Sequence, residues 1–247
     1  RYGIEKCGIP NEVVHFEYDT SIFSKKIKPM ITWSIHEFLV EDIRDPGGIM
    51  KGKEKEQELY PNAMKNEVDM EPILKPILKL KNYPRGSEVL HEENVSISEK
   101  YNIPSKFIYS VNDLTMQFIR KVYKNRKNIL RKDLMLGDNL KYPLDGADSI
   151  GVYLDYKDKR VYYFNTIPNV AVIGTSATYL QVSVGVFSAL FSLLDDNLKK
   201  GIYFVEDLFN SRFKHYVFDN MRVQEFMFKK HENKLILNNY TPMIKLR

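Results

Sequence analysis

The sequence predicts an α/β fold. Over residues 87–194, strand-like stretches alternate with helix-like ones. Hydrophobic residues make up 43% of 247. That is close to the globular average, and enough for one large domain or two small ones. The chain shows neither an internal repeat nor a low-complexity run, so a solenoid or a disordered segment is not expected.

Taken in order, residues 13–16 read as a short strand and 27–33 as a second. Ser34 followed by Glu37 makes a capping-box pattern, in which each side chain satisfies a backbone N–H of the other. The helix it opens should run to about Ile43, where Asp45-Pro46-Gly47-Gly48 stops it. Residues 51–86 are rich in Lys, Glu and Pro and read as an exposed, loop-rich excursion. Residues 95–97 and 107–109 read as strands around a turn at Asn102-Ile103-Pro104. Asn112 or Asp113 caps a helix with an apolar face of Leu114, Phe118, Ile119 and Val122. Residues 150–154 and 161–164 form a strand pair through Tyr156-Lys157-Asp158-Lys159. No charge occurs from Val161 to Leu194, and 177–194 reads as a buried helix capped by Thr175 or Ser176. It is long enough to span a bilayer, but Thr178, Tyr179, Gln181, Ser183, Ser188 and Ser192 favour a core helix. Gly185 with Ala189, and Ser188 with Ser192, would let a neighbour approach closely.

The net charge of +5 is too small to argue for a nucleic-acid partner. Seven cations lie between Arg120 and Lys132, but no aromatic ladder accompanies them. They read as the solvated, cation-enriched end of a helix. Cys7 is alone, so an internal disulfide and a cysteine zinc cluster are excluded. With no secretory signal pattern at the start, the expected location is the cytoplasm.

Common catalytic signatures fail on inspection. Gly47, Gly52 and Lys53 imitate a phosphate loop, but Glu54 stands where a hydroxyl should bind magnesium. His36-Glu37 begins a zinc-protease pattern that Val40 breaks. No G-x-S-x-G elbow and no G-x-G-x-x-G dinucleotide turn occurs. What remains is a set of aromatic, histidine and carboxylate residues. Trp33 and Glu41 are eight residues apart, so a helix from Ser34 keeps them on nearly one face. Trp33 could merely staple onto Phe38. Alternatively, its ring and the Glu41 carboxylate could hold a cation. In a strand-like stretch His91 and Glu93 share a face and suit proton transfer, as do His15 and Glu17.

These residues together resemble a family. Thr32-Trp33-Ser34 with Phe38 and Glu41 resembles the N-T-W-S-x-x-x-F-x-x-E run of bacterial-type homospermidine synthases. His15-Phe16-Glu17-Tyr18-Asp19-Thr20 is similar to their H-I-x-E-x-D-T, and His91-Glu92-Glu93-Asn94-Val95-Ser96-Ile97 to their H-N-E-x-I-S-I. Asp145-Gly146-Ala147-Asp148-Ser149-Ile150-Gly151-Val152 resembles D-G-x-D-E-L-G-V, and residues 177–183 resemble A-T-S-L-Q-V-T. The five segments keep the family's order, while the tail beyond about Asp195 matches poorly. Glu37 and Glu92 depart from the family pattern.

The resemblance implies a saccharopine-dehydrogenase-like architecture. Residues 1–22 would end a Rossmann domain whose nucleotide fingerprint lies upstream. Residues 23–173 would form a mixed, largely antiparallel substrate and dimerisation domain. Residues 174–247 would be a helical segment packing back on the Rossmann part. It further implies NAD as a recycled cofactor, putrescine or a related polyamine as substrate, and a homodimer that binds neither membrane nor nucleic acid. Glu17, Trp33 and Glu41 would hold the ammonium groups, Trp33 by cation–π attraction, and His91 and Glu93 would line the site for proton movement. The chain without a nucleotide domain should be inactive. Two rivals are an imine-reducing dehydrogenase of the saccharopine or carboxyspermidine type, and a non-catalytic module binding polyamine or nucleic acid. A carboxylated substrate would need an arginine or lysine clamp.

Overall fold

The computed structural model describes residues 1–53, 57–125, 128–137, 143–232 and 234–243, with all their side chains except those of Glu206 and Phe209. Glu54, and Arg126 and Lys127 of the basic stretch, lie outside the described residues. Eight strands form the main sheet: β1 (Glu12–Asp19), β2 (Glu67–Asp69), β3 (Arg85–Val89), β4 (Ser105–Val111), β5 (Ala147–Asp155), β6 (Lys159–Pro168), β7 (Gln224–His231) and β8 (Lys234–Pro242). Their spatial order is β8-β7-β6-β5-β1-β4-β3-β2. Only β1 and β4 run parallel; the other neighbours are antiparallel. The longer helices are α1 (Tyr2–Cys7), α2 (Glu92–Tyr101), α3 (Asp113–Lys124), α4 (Ala177–Asp195) and α5 (Phe213–Met221). The fold is therefore α/β with a mixed, largely antiparallel sheet, as expected.

Strand alternation divides the chemistry between two faces. Val14, Phe16 and Tyr18 of β1 point into an apolar core with Ile108, Tyr153, Tyr162, Phe164 and Phe228. Val13, His15, Glu17 and Asp19 point to the other face. One end of that face is closed by Ile4, Val13, Ile97, Ile103 and Leu154. Ile31, Phe38, Leu39, Met64, Phe107, Tyr109 and Ile119 form the other end. The polar members of β1 thus sit between two apolar clusters.

Several local readings change. The strand expected over 27–33 shrinks to Met30–Ile31, which pairs in parallel with Met135–Leu136. Ser34 does cap, accepting a hydrogen bond from the Glu37 backbone N–H at 3.3 Å. The winding beyond it is α only over Ile35–Glu37 and widens to a π-helix over Phe38–Arg44, ending at Asp45 as predicted. Gly47–Ile49 then pairs antiparallel with Glu58–Tyr60 instead of forming a phosphate loop. Residues 95–97 are helical, not a strand. The His91 backbone N–H is capped by the Asn94 side chain at 2.8 Å, and Asn94, Ile97 and Ser98 are buried at helical spacing. Asn112 rather than Asp113 caps α3, accepting from the Thr115 N–H at 3.0 Å. The hairpin of β5 and β6 forms where expected, with Leu154 opposite Val161.

Three larger expectations also change. Part of the 51–86 segment is core: Met70, Ile73 and Leu74 are buried against Phe16 and Tyr162. Residues 1–22, expected to end a Rossmann domain, join the same sheet as the rest, with β1 in its middle between β5 and β4. The tail is not wholly helical, since β7 and β8 extend the sheet. Lys6 of α1 anchors that extension. Its ammonium donates to Glu225 of β7 at 2.8 Å, and the Tyr163 hydroxyl donates to the same carboxylate at 2.7 Å.

Helix α4 forms and is capped by Ser176, but it is only partly buried. Its buried side is small and polar: Ala177, Thr178, Gln181, Val184, Ser188 and Ser192. Val182, Val186, Leu190, Leu193 and Leu194 are exposed. Ser192 meets Ser211 at 3.1 Å and Phe191 packs on Tyr216 of α5, so a neighbour does approach the serine side. Gly185 faces open space. By length and composition alone α4 could cross a membrane.

Candidate functional site

The site is built on the polar face of β1. Parallel register sets His15 beside Phe107 and Glu17 beside Tyr109 on β4. Antiparallel register sets Asp19 beside Asp148 on β5. Trp33 follows the short strand at Met30–Ile31 and closes over this face. Its indole N–H donates to the Tyr109 hydroxyl at 3.0 Å. Its ring stands edge-on to Tyr109 and to Phe38, at 6.5 and 6.4 Å between centroids. The Trp33–Phe38 contact is the staple that the sequence allowed.

The π-wound turn contributes Glu41 and Asp42. Asp42 is 2% exposed, and neither of its carboxylate oxygens has a hydrogen-bond partner. Burial pushes its carboxyl well above the usual range, and Glu41 adds to this. Glu41 is half-buried; burial raises it, opposed by His91. Glu17 is half-buried on the sheet face. Burial raises it well above normal, and Asp148, Asp19, Asp42 and Glu93 raise it further. Tyr109 is held in its neutral form by burial and by the Asp42, Glu17 and Asp19 charges. The charges that bear most on Glu17 are all negative. Buried acids brought together in this way, one of them without a hydrogen-bond partner, hold their protons in the empty site and would be ionised by an entering cation.

His91 sits at the rim. It stacks on Phe107 at 4.7 Å, and Phe107 stacks on His15 at 6.1 Å. The His91 Nε2 lies 4.0 Å from Glu41 and its Nδ1 3.7 Å from Glu93. The expected His91–Glu93 pair therefore exists, though by helix capping and not by strand alternation. His15 is half-buried, its buried Nε2 has no partner, and desolvation holds its imidazole neutral down to about 3. His91, Glu92 and Glu93 could each turn one ligand atom to a common point, all within 4.8 Å. Glu92 and Glu93 are exposed and His91 is partly so.

Compared with known protein families, the chain matches no family model. It also matches no curated protein. The site must therefore be read from its own geometry.

Glu17, Trp33, Glu41, His91 and Glu93, all singled out from the sequence, line one continuous region. Sequence reasoning missed Asp42 and Tyr109, and gave no role to Asp19 and Asp148. Asp19 was signalled by its two-residue spacing from Glu17. Asp42 had no signal, because a π-turn changes which residues share a face. An apolar cavity of about 250 Å³ adjoins the site through His15 and Glu93 and includes Tyr2, Phe213 and Phe218. Arg1 and Lys214 also line it. The basic stretch is partly spent elsewhere: Arg120 pairs with Glu67 at 2.7 Å and donates to the Arg85 carbonyl at 2.8 Å.

Proposed function

We propose that this region binds an organic diamine, and that the chain carries the amine site of a homospermidine-synthase-like enzyme. The observation that carries the reading is the buried, partnerless carboxylate of Asp42, whose charge reaches both Glu17 and Tyr109, the residue that accepts the Trp33 N–H. A primary ammonium group supplies what this arrangement lacks. It offers a positive charge to the acids and a cation to the indole face, an attraction of about 2 kcal/mol when water is excluded. A second ammonium fits the rim at Glu41, Glu93 and His91. A carboxylated amine of the saccharopine type would need a cationic clamp; the residues around Trp33 are acidic, and the cations near the site, Arg1 and Lys214, line the adjoining cavity.

A homospermidine-synthase-like reaction would pass a hydride from an amine carbon of putrescine to an acceptor held outside the described residues, and would return it to the new imine once a second diamine has added and ammonia has left. Hydride loss requires a neutral amine, so a base must first take a proton from the ammonium. Glu17 is the candidate base: raised by burial and by neighbouring acids, it holds its proton in the empty site, releases it as the ammonium enters, and can then take a proton from the amine as a carboxylate. His91, bridging Glu41 and Glu93, offers a route for the proton to the rim. The acids and Trp33 then hold the cationic centre that follows.

NAD would supply the hydride chemistry, but the residues described here do not fit it. No glycine-rich turn follows β1, and the largely antiparallel sheet provides no switch point between parallel strands. On this reading, NAD binds through residues outside the described set, and the homodimeric, cytoplasmic state belongs to the same proposal.

Trp33 is the only tryptophan, so intrinsic fluorescence reports the site directly. Titration with putrescine should change its emission saturably, propylamine should act more weakly, and succinate should have no effect. A chain that shows no saturable response up to about 10 mM putrescine, weaker than about −3 kcal/mol of binding, is not an amine site.

A further inference from the structure

Behind Glu17, four buried groups form a chain. The Thr32 hydroxyl donates to Asp19 Oδ2 at 2.5 Å, and the Thr178 hydroxyl donates to Asp148 Oδ2 at 2.7 Å. The two hydroxyl oxygens are 2.9 Å apart. All four residues are at most 7% exposed. The chain has three links, but two hydroxyls bring only two protons. With both carboxyls ionised, the middle contact would hold two oxygens at hydrogen-bond distance with no proton between them. It would also leave two buried anions side by side, since Asp19 and Asp148 are register partners on β1 and β5.

We propose that Asp19 and Asp148 share one proton through Thr32 and Thr178, and that this unit sets the charge facing Glu17. Two arrangements satisfy every link. In one, neutral Asp148 donates to Thr178, Thr178 to Thr32, and Thr32 to ionised Asp19. In the other, neutral Asp19 donates to Thr32, Thr32 to Thr178, and Thr178 to ionised Asp148. The two interconvert when three protons each move one hydrogen bond. One negative charge crosses from one end to the other, and nothing is oxidised or reduced. The outer bond to Asp19 Oδ1, from the Ser21 N–H at 2.8 Å, is unaffected in both.

Each end faces Glu17. Asp148 and Asp19 are the two neighbouring charges that bear on it most, ahead of Asp42 on the π-turn and Glu93 on α2. Burial raises both Asp19 and Asp148 in proton affinity, in keeping with a retained proton. The unit also ties the N-terminus of α4 to the segment carrying Trp33. These residues are positioning residues for the proposed amine site. The role rests on that reading, but the proton count does not.

The experiment is infrared difference spectroscopy of the chain at pH 7 in the region of protonated carboxylic acids. In Asp148→Asn the side-chain amide can supply the missing donor to Thr178, leaving Asp19 ionised. In Asp19→Asn the amide can donate to Thr32 and leave Asp148 ionised. Each single variant should fold, and each should lose the absorption of one carboxylic acid. The double variant should lose no more than either single. Unchanged spectra in the singles would mean that both acids are ionised. A double loss in the double variant would mean two independent acids. Either result, or failure of both singles to fold, overturns the proposal. Where putrescine quenches Trp33, each single keeps one negative charge in the unit and should leave the pH profile in place, while the double variant removes that charge and should move the profile down. If the diamine never binds but the infrared count holds, the amine reading falls and the shared proton stands.

Discussion

Asp42 places a carboxyl where it makes no hydrogen bond, and a folded protein keeps such a group at a cost of about 1–3 kcal/mol. Replacing it with leucine removes that cost. Asp42→Leu should raise the unfolding free energy by about 1–3 kcal/mol in urea titrations and abolish the putrescine response of Trp33. Loss of both stability and binding would instead mark Asp42 as an ordinary core residue. Tyr109 supports the indole in a different way. Tyr109→Phe removes the acceptor of the Trp33 N–H. It should cost about 1 kcal/mol and shift the emission of the unliganded chain, while leaving the carboxylates in place.

At the scale of elements, α4 inverts the usual pattern. Its small polar side packs inward and its large apolar residues face out. Conventional surface and core substitutions should therefore exchange their effects. Leu190→Ser and Leu194→Ser should change thermal stability by less than about 0.5 kcal/mol and improve solubility. Ser188→Leu should cost about 1–3 kcal/mol, because Ser188 is fully buried and the interior has no room for a leucine. The anchor of α1 to the sheet is more conventional. Glu225→Leu leaves the buried Tyr163 hydroxyl without an acceptor, so it should cost about 1–3 kcal/mol by chemical denaturation. The exposed Lys6 partner can turn to water, which limits the loss.

For the whole molecule, the acidic cluster sets the direction of the pH response. Glu17, Asp42 and Asp148 have folded proton affinities raised well above their unfolded values. The folded state therefore holds more protons than the unfolded chain above about pH 4, where free carboxyls ionise. Their contribution to stability is fully present below that pH and is lost as pH rises through the raised folded values. His15 acts oppositely: its folded value is lowered to about 3 from 6.5. Its contribution is full above pH 6.5 and fades as pH falls toward 3. Between pH 4 and 6.5 the two oppose one another, and above pH 6.5 the acids act alone. The urea midpoint should thus be lower at pH 8.5 than at pH 6.5, and Asp42→Leu should flatten that decline. Putrescine should bind more tightly as pH rises, with proton release measurable by calorimetry in buffers of different ionisation enthalpy.

Local patterns determined the α/β class, the strand at β1, the β5–β6 hairpin, the caps at Ser34 and Asn112, and the length of α4. Each follows from interactions within a few residues of chain: alternation, capping and turn chemistry. The same patterns mistook residues 95–97 for a strand, because three residues of alternation carry no information on their flanks, and Asn94 closes a helical cap there. They placed His15, Glu17, Trp33, Glu41, His91 and Glu93 among the residues of interest, but not in one space. Only the tertiary structure decided that β1 is central, that α4 turns its polar side inward, and that Asp19, Asp42 and Asp148 gather behind Glu17. These depend on strand register and on a π-turn. Both bring together residues far apart in sequence, and the free energy of doing so is set by packing across the whole sheet.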